Sequence, residues 1–184
     1  METLTERTTA AVDTAVPSSA FAQAYTELSP AVLGYLRARG VDDPEAVTQD
    51  VFMALYPRMS SVTGGSAGLR TLVFSIAHAR SVDFHRRQGR QPNTVQHDPA
   101  ADPRVTESAE EQAIARGVGG YARELLESLS EDQREILTLR VVADMSLEDT
   151  AAVTGKTVGA VKQLQRRALT GLRNRLSKKG EGER

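Results

Sequence analysis

The feature that most constrains the fold is the spacing of the apolar residues, which recur at steps of three and four. From about residue 69 to residue 87 this spacing predicts one long helix with a single buried face, made by Leu69, Leu72, Val73, Ile76, Ala77 and Phe84. Alternating runs joined by a two-residue turn, the signal of a β-hairpin, are nearly absent. The sequence therefore predicts an all-α fold.

Residues typical of helix starts divide the first half of the chain into several predicted helices. A first helix is expected from about residue 18, and Ser29 followed by Pro30 either begins a second helix or kinks the first; both alternatives stay open. Asp43 before Pro44 is typical of the start of a further helix, which we expect to end near residue 57. The Ser- and Gly-rich segment 60–68 is predicted to be a loop.

A stretch with three prolines, several acids and little that could be buried separates the two halves of the chain. We interpret residues 91–108 as a flexible acidic linker. The sequence thus predicts two small helical domains, 18–90 and 109–178. A disordered extension, 1–17, and a frayed tail, 179–184, are expected to flank them.

The segment from Ser146 to Arg167 has the pattern of a helix-turn-helix. Ser146 can cap a short helix, Gly155 suits a left-handed turn at its end, and Thr157 can cap a longer helix from about residue 158 to 176. Two helices joined by such a short Gly turn are typical of DNA-binding proteins. The alternative is an ordinary helical hairpin with a solvated basic face.

The second helix of this pattern is strongly cationic. From Thr154 to Lys179 the chain has eight basic residues and no acid, whereas a helix that is only solvated usually mixes both signs. Arg can bind guanine through two hydrogen bonds, Gln can bind adenine, and Lys can hold a phosphate. The candidate DNA-binding residues are Thr157, Lys162, Gln163, Arg166 and Arg167.

The net charge of −1 hides an uneven distribution. Residues 71–92 carry +3 and residues 136–184 carry +5, while residues 1–70 carry −3 and residues 93–135 carry −6. Such asymmetry favours a polyanionic partner. It also predicts that the acidic segment associates with the basic one in the free chain and masks its DNA-binding face.

The composition excludes several classes of protein. The chain has no cysteine and no tryptophan, and its histidines, at positions 78, 85 and 97, lack metal-ligand spacing. No nucleotide-binding loop is present, so we predict no enzyme, no cofactor and no metal site. No signal peptide and no apolar run long enough to cross a membrane is found, which predicts a cytoplasmic protein without membrane insertion.

Three groups of residues, in order along the chain, resemble the extracytoplasmic-function (ECF) sigma factors of the bacterial sigma-70 family. They are 42–52 (DDPEAVTQDVF, region 2.2), 68–77 with 82–87 (GLRTLVFSIA and VDFHRR, regions 2.3 and 2.4), and 129–140 with 158–162 (LSEDQREILTLR and VGAVK, region 4). The resemblance implies a region 2 helical bundle in the first domain and the helix-turn-helix of region 4 in the second.

The resemblance also implies partners. In this family the region 2.2 helix binds the clamp helices of the polymerase β′ subunit, and Thr48, Gln49 and Asp50 match that motif. Region 4 binds the β flap and the promoter −35 element. The linker is expected to thread the active-site cleft of core RNA polymerase.

Region 2 of the family binds the −10 element. The loop 60–68 would capture a flipped base, because its glycines allow close approach of the backbone. The implied contacts are Ser60, Gly64, Gly65 and Ser66 for the base, and Arg80, Arg86 and Arg87 for phosphates. Leu72 stands where Trp is usual and Ala79 where Asn is usual. Gln163, Leu164 and Gln165 replace the Ser-Arg-Leu common in relatives.

The function implied is that of an alternative sigma factor. It would bind core polymerase, recognise −10 and −35 elements and direct initiation at a specific regulon, under the control of an anti-sigma factor that wedges between the domains. The alternatives are a stand-alone helix-turn-helix regulator, which leaves the first half without a role, and a helical adaptor whose basic helices bind an acidic protein.

Overall fold

The computed structural model describes residues 18–89 and 124–182, and every regular element within these ranges is helical. The elements are α1 (Ser18–Ala38), α2 (Pro44–Leu55), a 3₁₀ helix (Tyr56–Ser61), α3 (Gly65–Gln88), α4 (Glu131–Val141), α5 (Leu147–Thr154) and α6 (Val158–Gly182). The all-α prediction is confirmed. The predicted extension 1–17, the linker 91–108 and the segment 109–123 lie outside the described residues.

The first helix is one continuous element that contains Pro30, which decides between the two alternatives left open by the sequence. The proline lies on the exposed side, while Val32, Tyr35 and Leu36 are fully buried on the other. The next helix begins at Pro44 as predicted. The side chain of Asp43 caps it by accepting a hydrogen bond, 3.0 Å long, from the backbone N–H of Ala46.

The predicted loop 60–68 is wrong over most of its length. Ser60 lies in the 3₁₀ helix and α3 already begins at Gly65, so only residues 62–64 are irregular. The glycines shorten the connection instead of lengthening it. Gly64 takes a left-handed conformation with φ of 83°, and a Cβ on Gly68 would lie 1.8 Å from the carbonyl oxygen of Thr63. The chain can therefore turn directly into α3.

Two helices of the second half begin at serine caps, of which the cap at Ser146 was predicted from the sequence. Ser130 and Gln133 form a reciprocal capping box at the start of α4, and the hydroxyl of Ser146 accepts a hydrogen bond from the N–H of Asp149 at the start of α5. The expected end of the last helix near residue 176 is wrong, because α6 continues to Gly182. No proline interrupts this segment, and a helix once formed propagates readily.

Helices from both halves share one apolar core. Tyr35, Phe52 and Phe74 of the first half and Leu139 and Met145 of the second are buried in the same cluster. The contact brings α4 against α1 and α5 against α3. Because a fully buried large apolar side chain contributes about 1.5–3 kcal/mol, this shared cluster holds the halves together; we call this packing the closed arrangement.

Candidate nucleic-acid interfaces

The helix-turn-helix forms as the sequence predicts. Gly155 ends α5 with φ of 66°, and the hydroxyl of Thr157 accepts a hydrogen bond from the N–H of Ala160, 3.2 Å long, at the start of α6. A small cluster of Ile136, Ala151 and Val161 seals the crossing. These contacts fix the direction in which α6 presents its outer face.

The predicted DNA-binding side chains of α6 lie on its solvent-exposed side. Lys162 and Arg166 line one flank, while Gln163 and Arg167 line the neighbouring flank. All four are exposed, and none of their side chains forms a hydrogen bond or an ion pair with another described residue. We call these four residues the α6 face. Cations without an internal partner are available to an anionic ligand.

Two further residues belong to this surface and were missed. Arg173 and Gln165 line the same flank as Arg166. Arg173 follows Arg166 by seven residues, so helical spacing alone could have identified it. The side chain of Gln165 accepts a hydrogen bond from Arg140 Nε, 3.3 Å away, a contact between helices that the sequence does not reveal.

A groove lies between the 3₁₀ helix and the start of α3, and we call it the α3 groove. It is lined by Arg58, Ser61, Val62, Thr63, Gly68, Thr71, Leu72, Ser75 and Asp149. The predicted base-binding residues Ser60, Gly64, Gly65 and Ser66 are exposed but do not line it. Thr71 and Ser75 of α3 bring hydroxyl groups to it. They were missed because the resemblance pointed to the loop 60–68 and not to the helix that follows it.

The predicted phosphate-binding arginines of α3 divide into two groups. Arg80 lines a second groove together with Arg58, Leu72 and Asp83. Arg86 and Arg87 are exposed in the last turn of α3, where the helix dipole also favours a positive charge. Leu72 lines both grooves and packs against the shared core. Arg58, which sequence reasoning missed, joins the two grooves.

The α2 residues predicted to bind the polymerase do not share one surface. Gln49 and Asp50 are exposed. Thr48 is only 5% exposed, and its hydroxyl donates a hydrogen bond to the carbonyl of Pro44, 2.7 Å away. The placement of Thr48 on the docking face is therefore wrong, because this residue lies on the buried side with Val51 and Leu55.

A buried polar cluster joins the two halves at α4. Glu135 Oε1 accepts hydrogen bonds from the hydroxyl of Tyr35, 2.9 Å away, and from His78 Nδ1, 2.8 Å away. Arg39 lies beside it, with Nε 3.7 Å from Glu135 and a terminal nitrogen 3.0 Å from Glu131. Burial alone would raise the pKa of Glu135, but the hydrogen bond from His78 and the charge of Arg39 hold it below its usual value.

The acidic segment 93–135 was expected to mask the basic α6, and only its residues 124–135 are among those that the structure describes. Glu131 and Glu135 pair with the first half of the chain. Asp132 pairs with Lys156, 3.0 Å away, in the turn before α6. None of these three acids pairs with the α6 face, and the prediction for the rest of the segment falls outside the described residues.

A second polar contact joins α5 to α3. The hydroxyl of Thr71 donates a hydrogen bond to Asp149 Oδ1, 3.0 Å away, and Arg70 donates one to the carbonyl of Ala143, 2.8 Å away. Hydrogen bonds from Ser146 and Thr71 lower the pKa of Asp149 below its usual value. The helix-turn-helix thus places a carboxylate in the α3 groove.

The described residues contain no group of three His, Cys, Asp or Glu side chains that could hold a metal ion. None of the helices described is both long and apolar enough to cross a membrane.

Comparison with known proteins decides the family. The model of the family "Sigma-70, region 4" matches residues 120–172, which include the helix-turn-helix. The ECF RNA polymerase sigma factor SigD of Mycobacterium tuberculosis is 32% identical over 191 residues, an alignment that covers 96% of this chain and 87% of SigD. The chain belongs to the ECF RNA polymerase sigma factors. It is an alternative sigma factor, a transcription initiation factor whose region 4 binds DNA.

Further relatives agree with this. The ECF sigma factor ShbA of Streptomyces griseus is 32% identical over 132 residues, covering 70% of this chain and 69% of ShbA. The fold resembles that of the sigma factor RpoE in its complex with the anti-sigma factor NepR from Bartonella quintana. The TM-score is 0.63 at 24% identity, over 86% of this chain and 98% of RpoE.

Proposed function

We propose that this sigma factor binds core RNA polymerase through α2 and recognises promoters through two separate surfaces, the α6 face at the −35 element and the α3 groove at the −10 element. The α6 face carries the proposal. Its exposed Lys and Arg side chains have no partner within the described residues, and they lie inside the segment that matches region 4.

At the −35 element, α6 would enter the major groove. Arg166 and Arg167 are the candidates for bidentate contacts with guanine, and Gln163 is the candidate for adenine. Lys162 and Arg173 would hold phosphates, and the N-terminus of α6 at Thr157 offers further backbone N–H groups to a phosphate. These contacts divide into base recognition and positioning, which mutations can separate.

At the −10 element, the α3 groove would receive a base taken out of the DNA stack. Ser61, Thr71 and Ser75 bring hydroxyl groups to this groove, and a hydroxyl can donate to or accept from a base edge. Arg58 and Arg80 lie on the second groove, where they would hold the phosphates of the displaced strand. Arg86 and Arg87 extend this basic path along α3.

The polymerase clamp would bind the exposed side of α2. Gln49 and Asp50 are polar and exposed, and Met53, one turn further along, is 73% exposed. An exposed Met beside polar side chains is typical of a binding surface. We further propose that region 4 binds the β flap and that the linker 91–108 threads the active-site cleft.

Regulation and location follow from the same proposal. RpoE, which has a similar fold, was solved in complex with an anti-sigma factor, and we propose that an anti-sigma factor also controls this protein. The polymerase supplies the chemistry of transcription, so the chain itself is not an enzyme. It would act in the cytoplasm, where core polymerase and promoter DNA are found.

A double substitution on α2 tests the docking proposal. Gln49→Ala with Asp50→Ala should change the free energy of unfolding by less than about 0.5 kcal/mol, because both side chains are exposed. Competition for core polymerase and promoter-dependent transcription in vitro should both fall at least tenfold. The matched control is Gln23→Ala with Glu27→Ala, an exposed pair on α1 that hydrogen-bonds only within its own helix.

Normal competition for core polymerase by the α2 double variant would overturn the docking proposal. If the protein binds promoter DNA without polymerase as tightly as with it, the stand-alone regulator is favoured. Transcription by the α1 control variant should equal that of the unmodified protein.

A further inference from the structure

One acid of the second half lies beside the α6 face. Asp132, in the first turn of α4, places its Oδ1 3.0 Å from Nζ of Lys156, in the turn before α6. Its neighbour Glu131 pairs instead with Arg39 of α1. Because successive residues of a helix lie about 100° apart, two adjacent acids can serve different contacts.

The backbone on both sides of the Asp132–Lys156 pair is well anchored. The N–H of Lys156 donates a hydrogen bond, 3.2 Å long, to a carbonyl in the last turn of α5, directly after the left-handed turn at Gly155. On α4, the capping box is made by Ser130 and Gln133. The carboxylate of Asp132 is therefore not needed for the cap and is directed at Lys156.

The pair lies in a groove between α4 and α6, which we call the α4–α6 groove. The groove has a volume of about 580 Å³ and also contains Gln163 and Arg167 of the α6 face. Gly159 lines it as well, and a Cβ on this glycine would have only the Thr157 hydroxyl within 4.0 Å. The absence of a side chain at this position leaves room for a ligand to approach the groove.

The charges of this groove oppose one another. Lys156 and Arg167 attract an anionic ligand such as a DNA phosphate, whereas Asp132 repels it. The side chain of Lys156 is 27% exposed and that of Asp132 is 58% exposed. An ion pair that water reaches contributes little to stability, so a phosphate can replace the carboxylate as the partner of Lys156 at small cost.

We propose that Lys156 is a binding site for a backbone phosphate of the −35 duplex, and that Asp132 limits the strength of this contact by competing for the same ammonium group. The inference rests on the proposed role of the α6 face in −35 recognition, because Gln163 and Arg167 share the groove. Phosphate contacts position a protein on DNA and carry no sequence information. Asp132 therefore sets how tightly region 4 binds the duplex, and the α6 face sets the base preference.

Two fluorescent probes test this by anisotropy, with holoenzyme at a series of salt concentrations. The −35 duplex carries the −35 element of a promoter that the sigma factor transcribes. The −10 oligonucleotide is a single strand that carries the −10 element of the same promoter. None of the variants below should change binding of the −10 oligonucleotide, because the α4–α6 groove is not part of the α3 groove.

Lys156→Gln should weaken binding of the −35 duplex at least threefold. It should also make the slope of log affinity against log salt concentration less steep by about one, because one phosphate contact is lost. Lys156→Arg keeps the positive charge and should preserve both the affinity and the slope. Unchanged affinity and slope in Lys156→Gln would show that this lysine holds no phosphate and would overturn the proposal.

Asp132→Asn should have the opposite effect and tighten binding of the −35 duplex at least threefold. In a Lys156→Gln background the same substitution should change the affinity less than twofold, because no ammonium group remains to compete for. The matched control is Glu131→Gln, which removes the same charge from the adjacent residue that pairs with Arg39. It should also change the affinity less than twofold.

Two results would contradict the competition between carboxylate and phosphate. Equal tightening by Asp132→Asn with and without Lys156 would mean that the carboxylate only repels DNA. Equal effects of Asp132→Asn and Glu131→Gln would mean that net charge alone matters, and not the position of the acid in the groove.

A parallel variant separates failure of this inference from failure of the proposed function. If Arg166→Ala with Arg167→Ala weakens binding of the −35 duplex and Lys156→Gln does not, only the phosphate site is wrong. If neither variant weakens it, the proposed role of the α6 face at the −35 element is wrong as well.

Discussion

The α6 face and the α3 groove differ in how their side chains are bonded to the rest of the described chain. The cations of the α6 face have no partner among the described residues, whereas the hydroxyl of Thr71 in the α3 groove is already bonded to Asp149. The first surface presents unpaired positive charge to a polyanion, whereas the second includes a carboxylate from the other half of the chain among its lining residues.

The difference follows from the desolvation of charged groups, which is small on α6 and large at the contact between the halves. Arg and Lys side chains on α6 are solvated by water and need no partner. Glu135 and Arg39 are buried, and a buried charge is tolerated only when it is paired. The polar groups at the contact between the halves therefore depend on one another. Loss of one partner leaves the others buried without a hydrogen bond or counter-charge, which lowers the stability of the fold.

The largest effect on the closed arrangement is expected from Glu135→Ala. It removes the buried acceptor of the hydrogen bonds from Tyr35 and His78 and leaves Arg39 only the exposed Glu131. The substitution should lower the free energy of unfolding by about 3–5 kcal/mol. Glu131→Ala removes the other acid bonded to Arg39, but Glu131 is 73% exposed, so its loss should cost less than about 1 kcal/mol. Urea unfolding of both variants measures the difference, and equal costs would contradict the role of the buried cluster.

Gly68→Ala is expected to damage the α3 groove alone. The added Cβ would lie 1.8 Å from the carbonyl oxygen of Thr63, and relief of such a clash costs about 1–3 kcal/mol. Holoenzyme made with this variant should lose binding of the −10 oligonucleotide, while the −35 duplex still binds. Gly171→Ala, with its Cβ 4.0 Å from the nearest atom, is the control and should leave both affinities intact.

Substitutions on the α6 face should weaken binding of the −35 element and leave binding of the −10 element intact. Arg166→Ala and Arg167→Ala should each cost about 1–3 kcal/mol and relax base preference at one position of the −35 element. Binding of the −10 oligonucleotide should not change. Arg175→Ala, an exposed arginine further along α6, is the matched control. A footprint unchanged by the two substitutions together would remove the assignment of this face.

The smallest effect is expected from pH. The pKa of Glu135 is lower in the folded chain than its ordinary value of 4.5, so its stabilising contribution is complete above that value. It is lost as the pH falls below about 4.5 through the folded pKa, because the unfolded state then binds more protons. Glu135→Gln should flatten the pH dependence of the free energy of unfolding in this range. Identical acid profiles of the two proteins would contradict the pairing.

Local signals in the sequence predicted most helices and the helix-turn-helix. Asp43 and Ser146 indicated helix starts, and Gly155 indicated the turn of the helix-turn-helix, because caps depend on residues a few positions apart. The short connection at Gly64 was missed, since glycines that permit a tight turn resemble glycines of a flexible loop.

The contacts between the halves could not be predicted in the same way. Tyr35 and Glu135 are 100 residues apart, and Thr71 and Asp149 are 78 apart. No local pattern specifies which polar groups meet at such a distance. The burial of Thr48 was also not predicted. Its polar side chain suggested exposure, but its hydroxyl donates a hydrogen bond to the carbonyl of Pro44 in the same helix, which allows it to be buried.

The most direct test of the central claim measures the separation of the two halves in solution. Ala22→Cys on α1 and Ala152→Cys on α5 replace small exposed residues in a chain without other cysteines, and spin labels on them report the distance by pulsed electron paramagnetic resonance. The free sigma factor should show one narrow distance distribution, because the shared core holds the two halves in a single arrangement. A broad distribution, or several distances, would contradict the closed arrangement as the state of the free protein.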